Sequence, residues 1–154
     1  MGSLRQRVVA GACAALTAAT FLALGAPAGA VPAKSSSIDP CSLITSSDVA
    51  GLSTAYAVEK TDPLSGKNCL YSLSADGGSA TVNLFVDKAS EFGTGKAGVK
   101  QAKKVSGLSS GYAGEFFGDA QVGFKSGPNA IRVVSTALDL PDLIVVAKAV
   151  KKHL

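Results

Sequence analysis

The sequence predicts an α+β fold. We expect a single domain with an antiparallel β-sheet of four to five strands, two longer helices on one face, and an N-terminal helical corner held by a disulfide. Two observations predict this class. Several segments in the middle of the chain alternate apolar and polar side chains with period two, and two segments with helical spacing interrupt and close them. Strands interrupted and closed by helices are typical of a sheet covered on one side.

The first thirty residues have the three parts of a secretory signal peptide. Arg5 and Arg7 form a positive region, residues 8–24 are apolar, and residues 28–30 read Ala-Gly-Ala, a small-residue cleavage site. We therefore expect cleavage after residue 30, a secreted protein, and no membrane span in the mature chain. Cys13 lies inside the apolar run without the hydrophobic stretch that lipid attachment requires, so no lipid anchor is expected.

The predicted organisation is a signal peptide over 1–30, a flexible leader over 31–37 and one domain over 38–154. Without the signal the chain has 13 basic and 11 acidic residues, and this net charge of +2 is too small for a nucleic-acid binder. The densest basic cluster is interpreted as the solvated side of a helix. It consists of Lys96, Lys100, Lys103 and Lys104.

Two cysteines remain after cleavage, Cys41 and Cys69. In an oxidising compartment, an even pair with no competing thiol predicts one disulfide. A metal site would need further soft ligands at suitable spacing, and the single histidine of the chain is His153, beside the C-terminus. We therefore expect neither a metal ion nor a cofactor.

The domain is expected to begin with two helical turns. Pro40 suits the first position of a short turn that contains Cys41. Thr45 and Asp48 have the spacing of a capping box, which predicts a second short helix after it. The disulfide would pin this corner to a strand.

Period-two alternation marks the strands, weakly at Tyr56 and Val58 and clearly further on. The clear segments are Cys69 to Leu73, Ala80 to Val86, Tyr112 to Phe117, Ala120 to Lys125 and Ala130 to Ala137.

Two segments are interpreted as the longer helices. Lys88 to Lys104 would bury Phe92 and Val99, although three glycines weaken it. Pro141 to Leu154 has apolar residues at helical spacing and lysines in its last turns, where the helix dipole favours cations. Its β-branched run over 144–146 favours a strand instead, but the spacing of the lysines and the length of the segment predict a helix.

Two motifs resemble catalytic or nucleotide sites. Residues 107–111 match G-x-S-x-G, but a nucleophile elbow needs a strand-to-helix turn and a histidine base. Residues 93–98 match G-x-G-x-x-G, but they do not follow a parallel strand. The acidic residues are scattered, so the sequence does not predict an enzyme.

Several segments together resemble a known family. They are residues 39–45 (DPCSLIT), 48–52 (DVAGL), 69–71 (CLY) and 105–108 (VSGL) with the following Tyr112. The chain is similar in them to an actinobacterial family of secreted and lipid-anchored domains of unknown function, related to extracytoplasmic sensor domains of mycobacterial Ser/Thr kinases. The resemblance implies paired cysteines and supplies no catalytic residues. Without a lipid-attachment motif, it implies release or loose association with the cell wall.

We therefore hypothesise a non-enzymatic binding or interaction module of the cell envelope or extracellular space. Its partner would be an unknown envelope ligand or a secreted protein. If both helices cover one face of the sheet, the other face presents the candidate ligand-binding residues. These are Asn83, Phe85, Lys125 and Arg132, accompanied by Thr81, Gln121, Val134 and Thr136. The alternative is a secreted hydrolase inhibitor or small hydrolase, with residues 61–67 as the inhibitory loop.

Overall fold

An antiparallel sheet of seven strands forms the frame of residues 38–154, the part of the chain that the computed structural model describes. The signal peptide and the leader, predicted over 1–37, lie outside the described residues. No helix within 38–154 is long and apolar enough to cross a membrane.

The elements follow one another along the chain in a simple order. The helical elements are a 3₁₀ turn at Pro40–Ser42, α1 at Ser46–Val49, a 3₁₀ turn at Ala89–Glu91, α2 at Phe92–Ala97 and α3 at Leu140–Lys152. The strands are β1 (Ala57–Ser65), β2 (Asn68–Ala75), β3 (Gly78–Lys88), β4 (Lys100–Lys104), β5 (Tyr112–Phe116), β6 (Asp119–Ser126) and β7 (Asn129–Ser135).

Every neighbouring pair of strands in the sheet is antiparallel, in the order β1-β2-β3-β7-β6-β5-β4. The first three strands form one meander and the last four form another. The two meanders join where β3 pairs with β7, with Phe85 opposite Arg132.

The main core lies between one face of the sheet and α3. Alternate side chains of the strands point into it, because successive residues of a strand face opposite sides. Fully buried members include Leu84, Val122, Phe124, Ile131 and Val133 of the sheet and Leu143, Val146, Ala147 and Val150 of α3. The α+β class and the C-terminal helix are therefore confirmed.

Two details of the predicted fold are wrong. The sheet has seven strands, not four to five. The segment from Lys88 to Lys104 is not one long helix on the same face as α3, but a 3₁₀ turn, the six-residue α2 and strand β4. A Cβ added to Gly98 would lie 2.3 Å from the ring of Phe116, so the glycine allows the chain to pass close to β5 and turn back as β4.

The N-terminal corner is held as predicted. Cys41 is bonded to Cys69 of β2, with their Cα atoms 5.2 Å apart. Pro40 opens the 3₁₀ turn, and the backbone N–H of Thr45 donates to the carboxylate of Asp48 at 2.8 Å, which is one half of a capping box.

The carboxylate of Asp48 also links this corner to the end of α3. Its Oδ2 accepts from the Thr45 hydroxyl at 2.7 Å and lies 3.0 Å from Nε2 of His153. Burial raises the pKa of Asp48, but the hydrogen bonds from Thr45 and His153 outweigh it and bring the pKa below 3.8.

We expect Asp48→Asn to weaken the acid sensitivity of the protein. A depressed carboxyl pKa stabilises the fold above the unfolded value and loses that effect as the pH falls through the folded value. The free energy of unfolding in urea, measured at about pH 6 and about pH 3, should therefore change less in Asp48→Asn than in the wild type. Equal changes in both proteins would contradict this role.

Candidate functional site

The sheet face opposite α3 carries the predicted ligand-binding residues. Phe85 and Arg132 lie side by side on β3 and β7, and Gln121 lies on this face of β6. The face is not open throughout, because α2 covers part of it. Gln121 is 1% exposed and donates from Nε2 to the carbonyl of Gly95 in α2 at 3.0 Å. Gln121 therefore holds α2 on the sheet.

A second small core fixes α2. Phe92 meets the ring of Tyr112 edge to face, with centroids 5.4 Å apart, and Ala130 completes the cluster. Gln121 also donates to the Tyr112 hydroxyl at 2.8 Å. Burial raises the pKa of Tyr112 above 10.0, although the hydrogen bond from Gln121 acts in the opposite direction. The phenol therefore stays neutral at physiological pH.

One cleft lies beside α2 on the side of β3, and we call it the arginine cleft. It has a volume of about 390 Å³ and is lined by Asp87, Glu91, Thr94, Gly95, Phe116 and Arg132. Arg132 donates from Nε to Asp87 at 3.0 Å and from Nη2 at 2.9 Å. Its guanidinium carbon lies 4.4 Å from the ring centroid of Phe85. The charge of Arg132 is thus already compensated within the protein.

Gly95 makes the arginine cleft possible. A Cβ at this position would lie 2.7 Å from Cδ of Arg132, so a larger residue would press on the arginine side chain. The glycine that weakens α2 as a helix therefore lets α2 lie directly over the arginine.

A second cleft lies beside α2 on the side of β4, and we call it the lysine cleft. It has a volume of about 370 Å³ and is lined by Phe92, Lys96, Ala102, Lys103, Lys104, Ser110, Gly111 and Tyr112. Lys125 of β6 borders it, with Nζ 5.2 Å from the ring centroid of Phe92. Nζ of Lys96 lies 6.0 Å from the ring centroid of Tyr112.

The lysines of this cleft are not neutralised by acidic residues. Within residues 38–154, the ion pairs involve Lys60, Arg132 and His153, and none involves Lys96, Lys103, Lys104 or Lys125. The lysine cleft is therefore a concentration of positive charge around an aromatic pair. Such a surface attracts anions.

The structure separates the four predicted site residues. Arg132 lines the arginine cleft and its guanidinium lies over the ring of Phe85, whereas Lys125 borders the lysine cleft. Asn83 lines neither cleft. It lies between Leu70 and Val134 on the neighbouring strands, and its buried Oδ1 has no hydrogen-bond partner.

Sequence analysis missed several residues that line the clefts. Lys103 and Lys104 were expected on the solvated side of a helix, but they lie on the edge strand β4. The sequence placed Asp87 in the same strand as Phe85 and Val86. Nothing in the local sequence pattern indicated that it pairs with Arg132.

The three motifs that suggested other functions have a different structural context. Residues 107–111 lie in the connection between strands β4 and β5. Residues 93–98 form α2 and its C-cap. Of the segment 61–67 considered as an inhibitory loop, Thr61 to Ser65 are the mostly exposed end of the edge strand β1, and Gly66 and Lys67 form the exposed turn into β2. The first two segments therefore lack the strand-to-helix turn of a nucleophile elbow and the preceding parallel strand of a dinucleotide-binding loop.

Groups of three or more His, Cys, Asp or Glu that could hold a metal ion are absent from the described part of the chain.

Comparison of the sequence and structure with models of protein families, with curated proteins and with solved structures finds no match in any of the three. The functional argument therefore depends on the geometry of the two clefts.

Proposed function

We propose that this protein is an exported, non-enzymatic binding module of the cell envelope or extracellular space, and that its lysine cleft binds phosphate or carboxylate groups. One observation carries the proposal. Lys96, Lys104 and Lys125 lie on the same face of the sheet as the Phe92–Tyr112 pair and around it, and none of them is ion-paired within residues 38–154.

Electrostatics favours an anionic ligand at this place. Lysine side chains gathered around one cleft repel one another, and an anion bound between them relieves that repulsion. The aromatic pair supplies an apolar wall against which the carbon skeleton of a ligand can pack. The arginine cleft is a weaker candidate, because Asp87 already neutralises Arg132 and Glu91 adds a negative charge.

The groups at the lysine cleft support binding rather than catalysis. Its hydroxyl groups belong to Ser110 and Tyr112. The phenol of Tyr112 interacts with Gln121, and burial raises its pKa, so it is a poor general base. The single histidine is engaged with Asp48.

We infer the location outside the cytoplasm from the N-terminal sequence and the disulfide together. Residues 1–30 have the pattern of a signal peptide, and disulfides persist mainly in oxidising compartments. The actinobacterial family resemblance and a loose association with the cell wall remain part of this proposal.

Removing three charges from the cleft should weaken anion binding. We expect Lys96→Gln/Lys104→Gln/Lys125→Gln to bind a polyphosphate of defined length at least about tenfold more weakly, because each lysine near an anionic surface contributes about 1 kcal/mol. Isothermal titration calorimetry at low salt measures the affinity. A parallel arm with phosphatidylglycerol vesicles distinguishes a lipid headgroup from a soluble phosphate polymer.

The matched control removes three exposed lysines that do not line the lysine cleft. Lys67→Gln/Lys88→Gln/Lys148→Gln changes the net charge equally and should change the affinity by about twofold or less. If both triple variants lose the same affinity, or if neither loses any, the lysine cleft is not the binding site.

A further inference from the structure

The tip of the hairpin between β5 and β6 exposes an aromatic side chain in a strained conformation. Phe117 has a φ of 52° and is 89% exposed, and Gly118 beside it has a φ of 97°. Two-residue turns with positive φ favour Gly, Asn and Asp, and a bulky residue there is an outlier. The ring of Phe117 meets Phe116 edge to face at 4.6 Å but stays open to solvent.

This side chain contributes little to the fold and carries a conformational cost. Backbone strain that brings no gain in packing is commonly associated with function. An exposed aromatic residue on a hairpin tip is suited to binding another surface, because it offers a large contact area with few rotatable bonds. The charges around the tip indicate which surface it fits.

Acidic residues collect at the end of the sheet where Phe117 lies. Asp119 pairs with Phe116 in the register, and Glu115 is opposite Lys100. Asp76 lies in the turn between β2 and β3, at the same end of the sheet. Asp139 lies there too, because it caps the N-terminus of α3 shortly after β7 ends. We call this the acidic end, and Lys100 lies among its carboxylates.

Lysines collect at the opposite end of the sheet, which we call the basic end. Lys88, Lys104 and Lys125 lie at the ends of β3, β4 and β6, and Lys67 precedes β2. Lys151 of α3 reaches the same end and donates to the carbonyl of Gly107 at 2.7 Å. Four acidic residues also lie at this end: Asp87 is paired with Arg132, Asp48 lies 3.0 Å from Nε2 of His153, Asp39 caps the turn of Cys41, and Glu91 lines the arginine cleft.

We propose that Phe117 of one molecule inserts into the lysine cleft of a second copy, so that the chain associates head to tail. This inference rests on the cleft of the proposed function. The acidic end then faces the basic end of its neighbour, and the ring of Phe117 lies among ammonium groups and the Phe92–Tyr112 pair, where cation–π and aromatic contacts are favourable. The cleft volume of about 370 Å³ accommodates a phenylalanine side chain.

The arrangement has two consequences. Different surfaces of the two copies meet, so the contact is heterologous and repeats into short open chains rather than a closed dimer. A contact made by the tip of one hairpin buries a small area, so the association is weak and transient. Because Phe117 and an anionic ligand use the same cleft, ligand binding competes with assembly.

The test is sedimentation velocity of the purified protein over a wide range of concentrations. We expect the average mass of the wild type to rise with concentration and to fall with added salt or polyphosphate. Phe117→Asn should weaken the association at least about tenfold. It should not lower the melting temperature, because Asn tolerates the positive φ of this turn. A Phe117→Asn variant that associates like the wild type overturns the proposal.

Charge reversal tests the orientation. Glu115→Lys/Asp119→Lys should abolish association, as should Lys104→Glu/Lys125→Glu, whereas a protein with all four changes should regain it. A benzoylphenylalanine at position 117 should crosslink to peptides of the lysine cleft in another molecule. A wild type that stays monomeric up to about 1 mM, or crosslinks to a different surface, overturns the proposal.

The two proposals fail in distinguishable ways. If the wild type is monomeric but binds polyphosphate through its lysines, head-to-tail association is wrong and the ligand site stands. If Phe117→Asn loses association and keeps polyphosphate affinity, both proposals are supported. If association depends on Phe117 while polyphosphate does not bind, the cleft serves the second copy alone and the ligand proposal is wrong.

Discussion

Replacing Cys41 and Cys69 with alanine is expected to lower the free energy of unfolding by about 3–4 kcal/mol. The bridge joins residues 28 positions apart in the sequence, and its loss increases the conformational entropy of the unfolded chain. It also ties the N-terminal corner to β2, so the corner should loosen first. Urea unfolding followed by circular dichroism measures the change in stability.

A reducing agent provides the matched control. It should destabilise the wild type by a similar amount and leave Cys41→Ala/Cys69→Ala unchanged, because that variant has no bridge to reduce. An unfolding midpoint that is the same in wild type and variant would show that the corner does not depend on the bridge.

Tyr71→Phe should destabilise the same corner by about 2–4 kcal/mol, because buried polar groups would lose their hydrogen-bond partner. The hydroxyl of Tyr71 accepts from the backbone N–H groups of Leu43 at 3.1 Å and Ile44 at 3.2 Å. It donates to the carbonyl of Pro40 at 2.6 Å. Removing one oxygen atom therefore affects three backbone groups. Thermal and urea unfolding of the variant measure the loss.

The same substitution has a pH signature. Burial raises the pKa of Tyr71 above 10.0, although the hydrogen bonds from Ile44 and Leu43 act in the opposite direction. A raised tyrosine pKa means that the stabilisation is complete below the unfolded value and is lost as the pH rises through the folded value. Tyr71→Phe should lack this part of the alkaline destabilisation, whereas Tyr56→Phe should retain it. Equal alkaline profiles for Tyr71→Phe and wild type would contradict the assignment.

The parts of the fold that bury one face could be predicted from sequence. In β3, Ala80, Val82 and Leu84 alternate with polar residues because one side faces the core. In α3, the helical spacing of the apolar residues and the lysines near the C-terminus predicted a helix, although the β-branched run favoured a strand. The structure confirms the helix. An element that buries one face therefore has apolar residues at regular intervals in its sequence.

The two edge strands of the sheet have no such regular spacing of apolar residues. All five residues of β4 are exposed, so its sequence has no apolar side to reveal a strand, and Lys103 and Lys104 fit a solvated helix equally well. Strand β1 is mostly exposed and contains Pro63, which edge strands tolerate. Backbone pairing with β2 and β5 defines these two strands, and backbone pairing is not visible in side-chain patterns.

The candidate site was predictable only in part. Alternation correctly assigned Phe85 and Arg132 to the face away from the core. The lysine cleft depends on β4 turning back beside α2, and that turn depends on the close approach of Gly98 to Phe116. A contact between residues so far apart in sequence leaves no local signal.

The division of the sheet into two meanders also determines the order in which the chain can fold. Cys41, Cys69 and strands β1 to β3 all lie before residue 89, so the disulfide and the first meander need no residue of the second half of the chain. The second meander is equally local, since its strands follow one another directly. Only the pairing of β3 with β7 must wait, and this late closure of a long loop is expected to set the folding rate. The covalent bond can therefore form before the sheet is complete.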